Sequence, residues 1–203
     1  MSGPASLVVL LHGVGGDGHD LAPLASAWVP LLPRTAFASP DAPEPFGNGP
    51  GRQWFSIDGV TNHNRLGRVR AARTGFDALL TRVLEQRGFA QRLDVVALVG
   101  FSQGGTMALD AVASGRWPIG AVIALSGRLI TPEPLDACIH TPILLVHGGA
   151  DPVIPAIETE RALAVLRRNG LDVQRHVLPG IGHTIPPEAV TIAGGFLSER
   201  FKP

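Results

Sequence analysis

The sequence lacks the features that mark a nucleic-acid-binding or membrane-spanning protein. Lys plus Arg and Asp plus Glu each number 17, so the formal net charge is zero. A balanced charge provides no attraction to nucleic acid or to an acidic membrane surface. No stretch approaches the roughly 18 consecutive apolar residues that a membrane-spanning helix needs. We therefore expect no nucleic-acid partner and no membrane insertion.

Cysteine is nearly absent as well. Cys138 is the single cysteine among 203 residues, which excludes an internal disulfide and agrees with a reducing compartment. Residues 1–11 contain a short apolar run but neither a basic leader nor a cleavage signal. No cluster of His, Cys and carboxylate residues has metal-ligand spacing, and we expect neither a metal nor a cofactor. These absences predict a cytoplasmic protein.

What the sequence does contain is an alternation of short apolar runs and helical patterns. Apolar residues make up 45% of the chain and the mean hydropathy is +0.21, which suits one domain over residues 1–203. Six runs are typical of buried strands: Leu7–Leu11, Thr35–Ser39, Val95–Val99, Ala121–Leu125, Ile143–Val146 and Gln174–Leu178. Helical spacing occurs in residues 66–83, 104–113, 157–168 and 187–201. This alternation predicts an α/β fold whose parallel sheet is covered on both faces.

One long segment interrupts the alternation. Residues 41–64 are rich in Pro, Gly and Asn and carry Trp54 and Phe55 near their middle. Loops of this length in compact domains are usually functional or disordered. The two adjacent aromatic residues fit either a loop folded over something apolar or a plug at the rim of the core.

A serine nucleophile is predicted at Ser102. The preceding apolar run ends in Gly100-Phe101-Ser102-Gln103-Gly104 and leads into a helical pattern. A strand that turns into a helix through Gly-x-Ser-x-Gly holds its serine in a strained turn, exposed at the carboxyl edge of the sheet. Side chains in place of the two flanking glycines would collide with this tight backbone. The alternative is an ordinary glycine-rich turn, because 25 glycines in 203 residues can produce the pattern by chance.

Two later strands are followed by an acid and a base that would complete a triad with this serine. A nucleophilic serine needs a base to take its proton and an acid to hold that base. In open α/β sheets such groups lie just past the carboxyl ends of strands. Asp151 follows the run Ile143–Val146, and His183 follows Gln174–Leu178. Asp136 is a competing acid, but it lies too far beyond its strand to be a strand-tip residue.

The glycine-rich segment after the first strand has two interpretations. Residues 13–18 read Gly-Val-Gly-Gly-Asp-Gly and satisfy the dinucleotide fingerprint, with Asp41 as a ribose-binding acid. The alternative is an oxyanion loop, whose backbone N–H groups approach a tetrahedral intermediate closely. We favour the oxyanion loop because the dinucleotide interpretation leaves the predicted triad unexplained. The N–H groups of Val14 and Gln103 are the expected donors, the latter aided by the helix dipole.

Taken together, these residues resemble the phospholipase/carboxylesterase family of the α/β-hydrolase superfamily, which includes the acyl-protein thioesterases. The matching segments are residues 11–16, 52–55 (Arg-Gln-Trp-Phe), 100–105, 147–155 and 182–183. The resemblance implies a three-layer α/β-hydrolase fold with a mostly parallel sheet of about six strands and no large cap domain. By the same likeness Ser102, Asp151 and His183 are catalytic, and Val14 and Gln103 form the oxyanion hole.

The resemblance implies a serine carboxylesterase that acts on a small-molecule ester or thioester through an acyl-enzyme intermediate. Trp54, Phe55, Ile130 and Val153 are predicted to line the acyl side of an open cleft. Acyl-protein thioesterase and lysophospholipase are the alternatives within this chemistry. A dinucleotide-binding oxidoreductase and a non-catalytic ligand-binding protein are remote alternatives. A monomer and a homodimer are both open.

The chain also departs from the family pattern. Few residues precede the first strand, so the initial strands of the superfamily are expected to be missing or vestigial. Val14 stands where a leucine is common, and Ser56 intervenes where the family often has an acid after Trp-Phe. These differences bear on substrate preference and leave the predicted chemistry unchanged.

Overall fold

The computed structural model describes residues 3–202, and a single six-stranded parallel sheet lies at its centre. The strands in chain order are β1 (Ser6–Leu11), β2 (Thr35–Ala38), β3 (Glu44–Pro45), β4 (Arg52–Gln53), β5 (Val96–Phe101), β6 (Ala121–Leu125), β7 (Ile143–Gly148) and β8 (Val173–Leu178). The order across the main sheet is β2-β1-β5-β6-β7-β8, with every neighbouring pair parallel. The short strands β3 and β4 form a separate antiparallel hairpin. Met1, Ser2 and Pro203, the ends of the predicted domain, lie outside the described residues.

Helices cover both faces of this sheet. They are α1 (Ala22–Trp28), α2 (Arg65–Arg87), α3 (Gln103–Ala113), α4 (Ile157–Arg168) and α5 (Pro187–Arg200), with short 3-10 turns at Gly18–Leu21 and Leu93–Val95. One buried apolar cluster joins the sheet to α2, α3 and α4, and a second joins it to α1 and α5. The central strands β1, β5, β6 and β7 are almost fully buried and largely apolar, whereas β2 and β8, at the two edges of the sheet, are partly exposed. The sequence located all six. The predicted three-layer α/β architecture is confirmed.

Two elements were not predicted. Helix α1 has only seven residues, yet it packs its Trp28 ring into the core, where Nε1 donates a hydrogen bond of 2.9 Å to the Val190 carbonyl. Each strand of the β3–β4 hairpin has only two residues, which are too few to show a periodic pattern in the sequence. The connection over residues 126–142 contains neither helix nor strand, in agreement with the expected absence of a large cap.

A buried carboxylate ties α2 to α3. Asp110 is fully buried and receives two hydrogen bonds from the Arg73 guanidinium, at 2.9 and 2.8 Å. Arg116 and Thr131 donate to the same carboxylate at 3.0 and 2.7 Å. Because α3 is buried along its whole length, this network fixes the helix that begins directly after Ser102.

None of the helices in the described part of the chain combines the length and apolarity that crossing a bilayer requires.

Candidate active site

Ser102 lies in the strained turn between β5 and α3. Its backbone has φ 54° and ψ −112°, a conformation that costs a non-glycine residue about 1–3 kcal/mol. The turn is held because the Ser102 N–H donates to the Leu125 carbonyl at 2.8 Å. A Cβ on Gly104 would overlap the Leu11 carbonyl, and a Cβ on Gly100 would overlap the Gly104 backbone. Only glycine fits at these two positions, which is the reason for the Gly-x-Ser-x-Gly spacing.

A continuous hydrogen-bonded chain joins three side chains from separate loops. His183 Nδ1 lies 2.6 Å from Asp151 Oδ2, and His183 Nε2 lies 2.8 Å from Ser102 Oγ. An ionised carboxylate only accepts hydrogen bonds, so Nδ1 carries the ring proton and Nε2 accepts from the serine hydroxyl. The Phe101 ring packs beside the imidazole with centroids 4.9 Å apart. The histidine is thus held in the orientation and tautomer that a general base requires.

The carboxylate of Asp151 is buried and remains ionised to low pH. Burial raises the pKa of this carboxyl, but hydrogen bonds from His183 and from the backbone N–H groups of Ile154 and Val153 outweigh burial and hold the pKa below its ordinary value. The two backbone bonds measure 2.9 and 2.8 Å and both end on Oδ1. Oδ2 is therefore left for the imidazole.

The loops that carry the acid and the base are joined to each other. The Gly149 N–H donates to the Leu178 carbonyl at 2.7 Å, and the Ala150 N–H donates to the Ile181 carbonyl at 2.9 Å. His147 supports the same turn, with Nδ1 2.6 Å from Thr159 Oγ1 and Nε2 2.7 Å from the Ile154 carbonyl. These bonds extend the β7–β8 pairing beyond the strands and fix the separation of Asp151 and His183.

Two backbone N–H groups near the serine have no hydrogen-bond partner among the described residues. Within residues 3–202, the N–H groups of Val14 and Gln103 make no hydrogen bond, and both residues line the cavity beside Ser102. The Val14 loop is fixed by the hairpin, because the Gly15 N–H donates to the Arg52 carbonyl and the Arg52 N–H donates to the Gly16 carbonyl, each at 2.8 Å. Gln103 begins α3, so the helix dipole adds to its N–H. The pair is suited to bind a developing oxyanion.

The acid that the alternative dinucleotide site would use, Asp41, is hydrogen-bonded within the glycine-rich loop. Asp41 Oδ1 accepts a hydrogen bond of 2.8 Å from the Gly18 N–H and so closes the glycine-rich loop itself. One oxygen of this carboxylate is therefore bonded within the loop that would have to bind the dinucleotide. In the described part of the chain, no group of three His, Cys, Asp or Glu side chains is arranged to hold a metal ion.

Trp54 supports the site from beneath and does not contact its cavity. Its side chain is buried against Phe76 and His12, and Nε1 donates to the His12 carbonyl at 2.8 Å. His12 Nε2 in turn accepts from the Ala42 N–H at 2.9 Å. The prediction that Trp54 forms an acyl-side wall was therefore wrong, because the ring points into the core. The second interpretation of the aromatic pair, a plug of the core, applies to this residue.

The side chain of Gln103 has a role that the sequence did not suggest. Its Oε1 accepts from the Trp54 N–H and its Nε2 donates to the Phe55 carbonyl, each at 2.7 Å. All four atoms are buried, so the residue after the nucleophile clamps the long loop onto α3. The only signal in the sequence was a polar residue at the start of a buried helix.

Two hollows flank Ser102. One, of about 240 Å³, has six apolar residues in its wall: Val14, Phe55, Ile57, Val60, Val153 and Ile154. The other, of about 310 Å³, lies beside His183 and includes Phe101 and Ile185. The wall residues include the predicted Phe55 and Val153. Ile130 is absent from both walls because it packs against the core, which corrects that prediction.

A separate hollow of about 270 Å³ lies at the opposite edge of the sheet, near the amino ends of β1, β2 and β5. Its wall contains Arg34, Asp94 and Arg200 and none of the residues that surround Ser102. In parallel α/β sheets, ligands bind outside the carboxyl ends of the strands. We therefore place the candidate site at Ser102.

Comparison with known proteins identifies the family of the chain. A family model described as Phospholipase/Carboxylesterase matches residues 2–200. Esterase YpfH of Escherichia coli is 35% identical over 92% of this chain and 79% of its own length. Acyl-protein thioesterase 1 of Gibberella zeae is 27% identical, over 97% of this chain and 91% of its own. The crystal structure of esterase PE8 is 39% identical and superposes with a TM-score of 0.88, covering 98% of this chain and 94% of that one.

Proposed function

Because this chain belongs to the phospholipase/carboxylesterase family, we propose that it hydrolyses carboxylic esters by acyl transfer to Ser102. His183 acts as the base and Asp151 orients it. The observation that carries the proposal is the unbroken chain of hydrogen bonds, 2.6 and 2.8 Å long, from carboxylate to imidazole to hydroxyl. This arrangement makes an otherwise weak nucleophile reactive.

Acylation begins when Ser102 Oγ attacks the ester carbonyl carbon and its proton passes to His183 Nε2. The carbonyl oxygen becomes an oxyanion that accepts hydrogen bonds from the N–H groups of Val14 and Gln103. The ionised Asp151 stabilises the imidazolium. As the carbonyl re-forms, the bond to the alcohol oxygen breaks, and His183 returns the proton to that oxygen.

Deacylation repeats these steps with water in place of the alcohol. His183 Nε2 takes a proton from the attacking water, a second oxyanion forms, and its collapse releases the carboxylic acid while Ser102 Oγ regains its proton. No group outside the chain is needed, since each proton that the imidazole accepts is returned within the same half-reaction.

The position of the histidine distinguishes the two hollows. The general acid must reach the leaving oxygen within hydrogen-bond distance, so the alcohol occupies the hollow beside His183. The acyl group then occupies the 240 Å³ cavity, whose wall includes Val14, Gln103 and Ser102. This cavity is lined mainly by apolar residues and opens to solvent. We propose short to medium acyl chains on a small-molecule ester or thioester.

The six apolar residues of the cavity wall suit an alkyl acyl chain, and acyl-protein thioesterase and lysophospholipase activities stay the alternatives. A cytoplasmic location is part of the proposal and rests on the single cysteine, Cys138. The oligomeric state, monomer or homodimer, stays a prediction.

The test is hydrolysis of 4-nitrophenyl butanoate and hexanoate by the wild-type protein and by Ser102→Ala. We expect kcat to fall by about 10⁶-fold in the variant, as when a triad nucleophile is removed. Ser26→Ala, an exposed serine on α1, is the matched control and should keep full activity. A fluorophosphonate probe should label the wild-type protein and leave Ser102→Ala unlabelled. A variant that kept a tenth of the wild-type rate would refute the assignment of the nucleophile.

A further inference from the structure

The acyl-side cavity contains two arginines in a wall that is otherwise mainly apolar, apart from Ser102, Gln103 and Thr106. Arg65 and Arg128 both line it, together with the six apolar residues named above. A short alkyl chain cannot accept a hydrogen bond from a guanidinium group. A positive charge beside apolar surface costs free energy when it has no partner. The two side chains therefore need an explanation beyond ester hydrolysis itself.

Neither arginine is paired with a carboxylate. Among residues 3–202, the guanidinium of Arg128 makes no hydrogen bond or ion pair, and only its backbone N–H is bonded, to Thr106 Oγ1 at 3.3 Å. The Arg65 guanidinium has one neutral partner, Asn62 Oδ1 at 2.6 Å. By contrast, Arg73 and Arg116 both bind carboxylates. The cavity thus holds two guanidinium groups that form no ion pair with a carboxylate among residues 3–202.

Nearby acids are bound elsewhere. The Glu158 carboxylate pairs with Arg161 at 2.6 Å, and Asp151 accepts hydrogen bonds from His183 and two backbone N–H groups. Burial, followed by repulsion from Arg65, lowers the pKa of the Arg128 guanidinium. An anion in the cavity would relieve both effects.

The backbone that presents Arg128 is strained. Ser126 is a non-glycine residue with φ 49°, and it lies two positions before Arg128, at the end of β6. Its N–H donates to the Val146 carbonyl at 2.8 Å, while Gly127 packs closely against Gly105 of α3. Costly backbone conformations of this kind cluster at ligand clamps. Here the strained turn places Arg128 at the same sheet edge as Ser102.

The placement of Arg65 is unfavourable in the absence of a ligand. It is the first residue of α2, whose first turn contains no acidic residue. Positive charge at a helix N-terminus opposes the helix dipole. An anion held between Arg65 and Arg128 would be attracted by both guanidinium groups and by the end of this helix.

We propose that the acyl-side cavity recognises esters whose acyl chain carries a carboxylate at its far end, bound by Arg128 and Arg65. The substrate class is the monoesters of short dicarboxylic acids, from which the enzyme releases an alcohol and the dicarboxylate. A planar carboxylate matches the guanidinium fork, and the methylene groups of the chain match the apolar wall. This inference rests on the function proposed above.

The experiment compares two esters that differ at one end of a six-carbon acyl chain. 4-Nitrophenyl hexanoate ends in a methyl group, and the 4-nitrophenyl monoester of hexanedioic acid ends in a carboxylate. The quantity measured is the ratio of kcat/KM for the charged ester to that for the neutral ester, at constant ionic strength because screening weakens charge pairing. We expect this ratio to exceed one in the wild-type protein.

Arg128→Gln should lower the ratio by about ten- to a hundredfold, the loss expected for charge-assisted hydrogen bonds. Arg65→Gln, on a different element, should lower it in the same direction. Arg87→Gln is the matched control: it removes the same charge from the exposed last turn of α2, about 33 Å from Arg65 at 1.5 Å per residue, and should leave the ratio unchanged. Using two arginine variants keeps the test valid if one of them fails to fold.

A ratio that stays within twofold of wild type in both Arg128→Gln and Arg65→Gln would overturn the proposal. The two arginines would then be solvated side chains at the rim of the cavity with no role in binding the substrate. Ester hydrolysis that still depended on Ser102 would then leave the proposed function intact. If Ser102→Ala hydrolysed both esters at the wild-type rate, the function and the substrate class would fail together.

Discussion

The backbone N–H of Trp54 donates a hydrogen bond of 2.7 Å to the side-chain Oε1 of Gln103. Through this bond, the residue that follows the nucleophile also fixes the loop that forms one wall of the acyl-side cavity. The amide end of the same side chain holds the Phe55 carbonyl. The shape of the cavity and the position of Ser102 are therefore coupled through a single glutamine.

Gln103→Ala should break this coupling. Two buried backbone groups, the Trp54 N–H and the Phe55 carbonyl, would lose their partners at about 1–3 kcal/mol each. We expect the free energy of unfolding to fall by about 2–6 kcal/mol and KM for 4-nitrophenyl hexanoate to rise about tenfold, with a smaller fall in kcat because the N–H of residue 103 remains. Urea denaturation and steady-state kinetics measure the two effects. Gln91→Ala, at an exposed glutamine, is the control and should change neither.

The two adjacent aromatic residues should respond differently to substitution. Phe55 contacts the cavity and Trp54 does not, so Phe55→Ala should shift the preferred acyl chain to greater length. Trp54→Phe should keep the wild-type preference and lower the free energy of unfolding by about 1–3 kcal/mol, since it removes buried volume and the bond to the His12 carbonyl. The measurement is kcat/KM across 4-nitrophenyl esters of increasing acyl length. A shift in chain-length preference caused by Trp54→Phe would contradict the assignment of the cavity wall.

Asp151 should contribute stability that depends on pH in a defined direction. Its pKa is lower in the folded protein than the ordinary value of 3.8, so the folded state binds fewer protons than the unfolded state near that pH. The contribution is therefore complete above about pH 5 and is lost as the pH falls below about 4. The difference in free energy of unfolding between wild type and Asp151→Asn should shrink as the pH falls below about 5. A difference that grew as the pH fell from about 5 to 3 would show that the sign is wrong.

The same substitution should lower kcat by about 10⁴-fold at neutral pH, because an amide no longer fixes the tautomer of the histidine. The matched control is Asp172→Asn, at an exposed aspartate, which should change neither kcat nor the pH dependence of stability.

The parts of the fold that the sequence predicted are those that depend on local pattern. Buried parallel strands are continuous apolar runs, and catalytic side chains at their carboxyl ends follow directly from strand position. For this reason Ser102, Asp151 and His183 were located within a few residues of predicted strand ends. The structure brings these three side chains within hydrogen-bond distance of one another.

The parts that the sequence missed depend on contacts between distant residues. Trp54 is buried because the carbonyl of His12, 42 positions away, accepts its Nε1–H, and no pattern near Trp54 records that contact. Arg128 follows a turn in which Ser126 has a positive φ. A serine in the sequence does not predict that conformation. The clamp made by Gln103 likewise requires the loop and α3 to be adjacent first.

The buried Asp110 offers a test of what holds α3, and with it Ser102, in place. Asp110→Asn keeps the volume of the side chain but leaves Arg73 and Arg116 without their shared carboxylate. Breaking a buried ion pair typically costs about 3–5 kcal/mol. We expect about 3 kcal/mol, because water reaches part of each arginine, whose side chains are 23% and 20% exposed. Urea denaturation measures the loss.

Measuring kcat/KM of Asp110→Asn should distinguish an effect on stability from an effect on catalysis. Asp110 lies about 12 Å along α3 from Ser102 at 1.5 Å per residue, and it contacts neither hollow beside the serine. In the absence of denaturant, kcat/KM for 4-nitrophenyl hexanoate should therefore stay near the wild-type value, while the urea midpoint falls. A large loss of kcat in a fully folded Asp110→Asn protein would mean that the network sets the geometry of the nucleophile directly. A loss of stability below about 1 kcal/mol would mean that the two arginines find other partners, since surface pairs are worth no more than this.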